Sequence, residues 1–250
     1  MSGGDFFVLQ TMRLNRYLAA AGLGSRRGCE ALILEGRVIV NGKICTNLAT
    51  QVGARDFVKV DGATVSAQGH LSVLLFKPRG CLCTASDEHD RRTIFDLLPK
   101  NWPRLFHVGR LDKESEGLLL LTNDGDLSMQ LTHPRYKIEK EYEVTLNRTL
   151  DPTDRARLLQ GMLIEGKKAK AERVEKITAA RWRVILRQGI KRQIRLMFSA
   201  LDYDVKQLLR TRIGPLKIDH LCPGEWRMLN ARELELLKSG SRDEPHRGEK

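Results

Sequence analysis

The chain has 250 residues, of which 41% are hydrophobic and 30% charged, and this indicates a globular protein long enough to bury a core. Its formal net charge of +12 at pH 7 favours a polyanionic partner, with nucleic acid as the first choice. No apolar run approaches the length of a membrane span, and the first apolar stretch follows no positive residue, unlike a signal peptide. We therefore expect a cytoplasmic protein without a membrane partner.

The cysteines indicate free thiols. There are five of them: Cys29, Cys45, Cys81, Cys83 and Cys222. The number is odd and no Cys-x-x-Cys pair occurs, so a disulfide framework is not expected and a reducing compartment is favoured. Cys81 and Cys83 have His89 and His107 downstream, but the spacing does not match the usual zinc patterns. We predict no metal site.

The first predicted elements are two helices and a small sheet. Apolar residues recur at helical spacing over residues 14–21, and glycines then end this helix. Ser25 is a suitable N-cap for a second helix that runs to about Glu35. A short strand follows, and Asn41-Gly42 predicts a hairpin turn before the return strand.

Basic residues are grouped on this unit. Arg26 and Arg27 fall in the first turn of the second helix, where the helix dipole disfavours cations, so they are poor choices for stability alone. The ordered strings Arg13-Leu14-Asn15-x-Tyr17-Leu18, Gly24-Ser25-Arg26-Arg27 and Gly36-Arg37-Val38-x-Val40-Asn41-Gly42 resemble the S4 RNA-binding domain. The resemblance implies RNA contacts by Arg13, Arg16, Ser25, Arg26, Arg27, Asn41 and Lys43. An ordinary solvated basic face is the alternative.

Composition predicts the domain boundaries. Residues 1–11 are expected to be a flexible N-terminus, and residues 12–68 the S4-like domain, which ends in a small, polar linker. Residues 69–238 would form the second domain. Residues 239–250 have no apolar anchor and are predicted to be a disordered tail.

The second domain mixes strands and helices without a steady βαβ alternation, which predicts an α+β fold around a mixed, mostly antiparallel sheet flanked by helices. Strands are predicted at residues 73–76, 142–146 and 182–186, and helices at residues 151–160, 191–201 and 231–238.

One segment of this domain, residues 109–125, has polar, turn-forming ends around the apolar run Leu118–Leu121. The run suits a buried strand, so Asp112 is expected on a loop braced by that strand, a common placement for a reacting group. The segment resembles the catalytic signature of the pseudouridine synthases that modify ribosomal RNA. In that family the Asp of Gly-Arg-Leu-Asp is catalytic, which implies this role for Asp112.

Five other segments also resemble that family. They are Phe76-Lys77-Pro78-x-Gly80, Lys140-x-Tyr142, Gly189-Ile190-Lys191-Arg192-Gln193-Ile194-Arg195, and the C-terminal pair Gly214-Pro215 and Gly224-Glu225-Trp226-Arg227. The resemblance implies that Tyr142 contacts the target base and that Arg195 pairs with Asp112. Substrate contacts are expected from Lys77, Arg110, Arg192 and Gln193. Taken singly, Tyr142 also fits plain core packing, and the basic residues fit an exposed helical face.

The family reaction detaches uracil from C1′ of its ribose and reattaches it through C5, without redox change, cofactor or nucleotide. The nucleophile attacks C1′ of the ribose or C6 of the base, and the sequence leaves both open. The expected partner of this protein, predicted to be a monomer, is ribosomal RNA. The segment formed by residues 92–99 is more similar to the family members that act on the large ribosomal subunit.

Three rival functions compete with this one. Residues 161–168 have the Gly and Lys spacing of a P-loop, but Lys168 replaces the magnesium-binding Ser or Thr, so we reject an ATPase. A glycosidase normally needs a second acidic group, and none is identifiable. A non-catalytic S4-type RNA-binding or ribosome-assembly protein is the remaining alternative, although it would not require Asp112, Tyr142 and Arg195 together.

Overall fold

The structure is a computed structural model that describes residues 11–85 and 87–240. The chain divides into two compact units, Met1–His70 and Leu71–Lys250. The predicted flexible terminus and disordered tail lie almost entirely outside the described residues. Within the described ranges, no helix is both long and apolar enough to cross a membrane.

The first unit contains two helices and a small sheet, as the sequence predicts. Its elements are β1 (Met12–Arg13), α1 (Leu14–Ala20), α2 (Arg26–Leu34), β2 (Val38–Val40), β3 (Lys43–Ile44), β4 (Gln51–Val52), β5 (Val58–Val60) and β6 (Ala63–Val65). The sheet has the order β3-β2-β5-β6, and β1 pairs with β4. The predicted N-cap is confirmed, because Ser25 Oγ accepts the Gly28 amide at 3.0 Å.

The second unit continues the chain with eleven strands and four helices in its described part. These are β7 (Ser72–Lys77), β8 (Phe106–Val108), β9 (Glu116–Thr122), α3 (Gly125–Thr132), β10 (Lys140–Leu146), α4 (Pro152–Gln160), β11 (Met162–Ile164), β12 (Lys167–Ala169), β13 (Arg173–Lys176), β14 (Arg181–Leu186), α5 (Gln193–Ser199), β15 (Val205–Ile213), β16 (Leu216–Lys217), β17 (Trp226–Met228) and α6 (Ala231–Gly240). Short 3-10 helices lie at Ile94–Leu97 and Pro134–Tyr136.

The large sheet has the strand order β13-β14-β10-β15-β9-β7-β17, with β16 beside β15 and β8 beside β9. Its pairs are antiparallel except β9 with β15, which run parallel. The predicted α+β architecture is therefore confirmed. The β11–β12 hairpin occupies the P-loop-like segment, and a turn at Glu165-Gly166 replaces the loop-to-helix geometry that phosphate binding needs.

Both faces of the sheet are buried around β9. Leu119 and Leu121 belong to the larger core cluster, whereas Leu118 and Leu120 pack in a second cluster with Leu74. A strand buried on both faces reads as a continuous apolar run, which is why the four leucines show no polar alternation. The loop before β9 is thus attached to the most buried part of the unit.

Candidate active site

The loop between β8 and β9 carries Asp112, four residues before the buried strand β9 begins. Its turn is closed by a hydrogen bond from the Ser115 amide to the Asp112 carbonyl at 3.1 Å, and the Gly80 amide donates to the Lys113 carbonyl at 2.8 Å. The Asp112 side chain stays 31% exposed. A carboxylate is therefore presented to solvent from a backbone that is itself held in place.

Lys77 anchors this loop from beneath. Its side chain is fully buried at the end of β7, and its Nζ donates to the carbonyls of Ser115 at 2.8 Å, Pro78 at 3.1 Å and Lys113 at 3.4 Å. Burial lowers the pKa of this ammonium. The predicted substrate contact of Lys77 is wrong, because a side chain with no exposed surface and three carbonyl partners cannot reach RNA.

Arg192, rather than Arg195, is the guanidinium paired with Asp112. Arg192 Nη1 lies 3.9 Å from Asp112 Oδ2 and 4.0 Å from the Glu114 carboxylate. Arg195 instead donates to the carbonyls of Val205 at 3.0 Å and Glu114 at 3.3 Å. The predicted ion pair between Arg195 and Asp112 is not among the salt bridges within 4 Å in the described part of the chain. Arg195 tethers the loop through its backbone.

The pKa of Arg195 is lowered by burial and by the charge of Arg192, with partial opposition from the Asp112 carboxylate. Asp112 is therefore close enough to act on Arg195 electrostatically without forming the predicted pair. The Arg195 Nε atom is buried and has no hydrogen-bond partner among the described residues.

A cleft of about 1310 Å³ opens beside Asp112 within the second unit. Tyr142 lies in its wall with 9% of its surface exposed. The predicted residues that line this cleft are Asp112, Tyr142, Arg110, Arg192 and Gln193, and the lining does not include Lys77 or Arg195. Most of the predicted site residues of this unit therefore meet around one cavity, although they come from three separate segments of the chain.

Gln193 is part of the wall of the cleft. Its Nε2 donates to Gln188 Oε1 at 3.0 Å and to the Lys170 carbonyl at 3.3 Å, and the side chain is buried. The amide thus fixes two neighbouring loops. The Gln193 side chain therefore has hydrogen-bond partners within the protein and does not need a substrate contact to explain its position.

The cleft has basic residues that the sequence predictions missed. Lysines on and after the β11–β12 hairpin and before α5 line it: Lys167, Lys168, Lys170 and Lys191. Two further cations, Lys140 and Arg210, lie deeper. Lys140 stands in the Lys-x-Tyr pattern and was therefore visible in the sequence, whereas nothing local marks Arg210.

Lys140→Met is expected to raise the unfolding free energy near neutral pH. The difference in unfolding free energy between the variant and the native protein should decrease as the pH rises. Burial and the charge of Arg210 lower the pKa of Lys140 from 10.5 to about 8. Between these two values the unfolded chain keeps a proton that the folded protein releases. The native protein therefore gains about 2 to 3 kcal/mol of unfolding free energy across this window, a gain that the variant lacks.

Urea unfolding of both proteins at about pH 7 and about pH 10 measures this difference. Lys140→Arg, which stays charged throughout, is the matched control and should lose the alkaline gain as well. A difference between the native and Met proteins that stays constant with pH would contradict the prediction.

The residues predicted to bind RNA on the first unit divide into two groups. Arg13, Arg26, Arg27 and Lys43 are exposed, and Arg16 is half-buried. Ser25 caps α2, and Asn41 uses its side chain inside the unit, where Nδ2 donates to Asp56 at 2.7 Å and Oδ1 accepts the Phe57 amide at 2.9 Å. Among the described residues, Arg26 and Arg27 take part in no ion pair, unlike Arg37, which is bound to Asp61 and Glu35.

Comparisons with known proteins match both units. A family model described as RNA pseudouridylate synthase matches residues 71–200, and an S4 domain model matches residues 12–58. An "Uncharacterized RNA pseudouridine synthase" of Aquifex aeolicus is 36% identical over 91% of this chain and 96% of its own. "Ribosomal large subunit pseudouridine synthase B" of Bacillus subtilis is 37% identical over 91% of this chain and 96% of its own.

A solved structure, "Crystal structure of pseudouridylate synthase", is also similar to the chain. It has a TM-score of 0.67 and 29% sequence identity, and the match covers 90% of this chain and 99% of that one. The similarity therefore extends through both units.

Proposed function

The chain belongs to the RNA pseudouridine synthase family and carries an S4 domain, and from this premise we propose that it isomerises a uridine of large-subunit ribosomal RNA, with Asp112 as the nucleophile. The observation that carries the proposal is the partly exposed carboxylate of Asp112 in the lining of a basic cleft that also contains Tyr142. A non-catalytic RNA-binding protein would require neither group, so that alternative is set aside.

The proposed reaction uses one nucleophile and no cofactor. The Asp112 carboxylate attacks C1′ of the ribose or C6 of the uracil, the N1–C1′ bond breaks, and the base turns and joins C1′ through C5. The bond to Asp112 breaks when C5 displaces the carboxylate from C1′, or when the carboxylate is eliminated from C6 after the new bond has formed. The C5 proton leaves and N1 gains a proton, so atoms and electrons balance. Tyr142 stacks on the uracil and guides the loss of the C5 proton by its position in the wall of the cleft.

The basic residues bind the RNA around the target nucleotide. A uridine must leave its helix or loop to enter the cleft, which costs a few kcal/mol. Contacts from Arg110, Arg192 and the lysines of the rim to phosphates offset this cost. Arg195 and Lys77 act on the reaction indirectly, because both hold the backbone of the Asp112 loop.

Mapping pseudouridines in ribosomal RNA with and without this protein tests the proposal. We expect one or more large-subunit uridines to lose the modification when the protein is absent and to regain it when the purified chain is added. Modification of small-subunit RNA alone would overturn the subunit assignment. An unchanged map of both RNAs would overturn the proposed substrate.

Arg26 and Arg27 are expected to contribute to RNA affinity through phosphate contacts. Each contact contributes about 0.7 to 0.9 to the slope of log affinity against log salt, so replacing both by Met should flatten the slope by about 1.4 to 1.8. The matched control is Arg37→Met, because its charge is already neutralised by Asp61 and Glu35. Filter binding to ribosomal RNA at several salt concentrations measures the slopes. Equal slopes for the native protein, the double variant and Arg37→Met would mean that Arg26 and Arg27 are solvated and do not contact phosphates.

A further inference from the structure

A buried arginine with an unused donor lies beside Tyr142 in the cleft. Arg210 on β15 is the cross-strand partner of Tyr142, is 2% exposed and contributes to the lining of the cleft. Its Nε donates to the Leu118 carbonyl at 2.6 Å, while its Nη2 is buried without a hydrogen-bond partner among the described residues. A buried charged donor that lacks an acceptor is costly, so it calls for a functional explanation.

The fold is built to hold Arg210 in this place. The backbone of β15 passes so close to β9 that a Cβ on Gly117 would lie 2.3 Å from the Arg210 carbonyl oxygen, and only glycine fits there. A register shift against β10 then turns neighbouring arginines in opposite directions: Arg210 pairs with Tyr142, whereas Arg212 pairs with Glu141.

The two arginines differ in their counter-ions. Arg212 forms salt bridges with Glu139 at 3.2 Å and Glu141 at 3.4 Å, outside the cleft. Arg210 forms no salt bridge within the described ranges, and its charge helps to lower the pKa of another cation in the cleft, Lys140. The cleft lining contains the carboxylates Asp112 and Glu172, but neither forms a salt bridge with Arg210.

We propose that Arg210 is a further catalytic residue, which stabilises the negative charge that develops on the uracil oxygens during the reaction. The proposal rests on the proposed function. When N1–C1′ breaks, its electron pair moves onto the ring and is shared by N1, O2 and O4. If Asp112 first adds to C6, the electron pair of the C5–C6 bond moves towards O4. Both routes place charge on an oxygen that a fixed guanidinium can stabilise.

Single-turnover rates of three variants test this role on whichever ribosomal RNA the native enzyme modifies. Arg210→Met should lower the rate about 10²- to 10³-fold, as the loss of one preorganised charged donor does, while RNA affinity stays within about threefold. Arg210→Lys keeps the charge and should retain more of the rate than the Met variant does. Arg212→Met removes the same charge from the same strand on the opposite face and should stay within about threefold of native.

A second substrate separates charge stabilisation from loss of structure. Fluorine at C5 stabilises negative charge on the ring by itself, so Arg210→Met should impair N1–C1′ cleavage at least about tenfold less on transcripts made with 5-fluorouridine. Equal impairment on both substrates would overturn the proposal in favour of a structural role. A Met variant within about threefold of native, or an Arg212→Met variant equally impaired, would also overturn it.

These outcomes are distinct from failure of the proposed function. A wrong subunit assignment leaves the Arg210 comparison intact, since it uses the RNA that the native protein modifies. A wrong nucleophile is detected by the Asp112→Asn variant, which does not involve Arg210.

Discussion

Replacing Asp112 by Asn is expected to abolish pseudouridine formation, with a loss of at least about 10⁴-fold in the single-turnover rate. Asn has the same size but is not a competent nucleophile, so the covalent step is lost. The fold should survive, because the side chain is 31% exposed and its single ion pair is 3.9 Å long. RNA affinity should stay within about threefold of native, because the phosphates are bound by basic residues and not by Asp112.

Glu114→Gln is the matched control for this variant. Glu114 lies in the same loop, approaches the same Arg192 at 4.0 Å and loses the same charge on substitution. Because it has no place in the proposed chemistry, its rate should remain within a few-fold of native. Turnover near the native rate by Asp112→Asn, or an equal loss in both variants, would show that Asp112 is not the nucleophile.

Replacing Arg195 by Met is expected to lower the single-turnover rate about 10²-fold with little change in RNA affinity. The guanidinium joins the Glu114 carbonyl of the loop to the Val205 carbonyl of β15, so its removal frees the backbone that positions Asp112. A displacement of about 1 Å in a reacting group is enough for a loss of this size. Arg195→Lys should be milder, although it loses the planar fork that spans both carbonyls.

Arg192→Met is the comparison that distinguishes backbone tethering from charge. Arg192 is the guanidinium paired with Asp112, but its side chain is 45% exposed and its Nη1 lies 3.9 Å from Asp112 Oδ2. Exposed ion pairs of this kind contribute only about 0.2 to 1 kcal/mol. We therefore expect a smaller loss than for Arg195→Met. The Arg195→Met defect should be the same from about pH 6 to about pH 9. Recovery of this variant as the pH rises would indicate that Arg195 acts by keeping Asp112 ionised.

Sequence patterns were sufficient for features that depend on local geometry. The N-cap at Ser25, the buried strand after Asp112 and the order of elements in the first unit all follow from spacing and turn chemistry within a few residues. The family motifs also identified Asp112, Tyr142 and Arg192, which line one cleft. The motifs also implied a substrate contact for Lys77, which is fully buried. The local sequence does not show whether a lysine at the end of a strand will be buried.

The amino-acid sequence by itself determined the fold class and the family, since helical periodicity, strand composition and ordered motifs are properties of short segments. Only the tertiary structure decided which arginine meets which partner. Strict alternation along β15 would place Arg210 and Arg212 on one face, yet the register shift against β10 separates them. That shift arises from pairing between strands about seventy residues apart, and no local pattern encodes it.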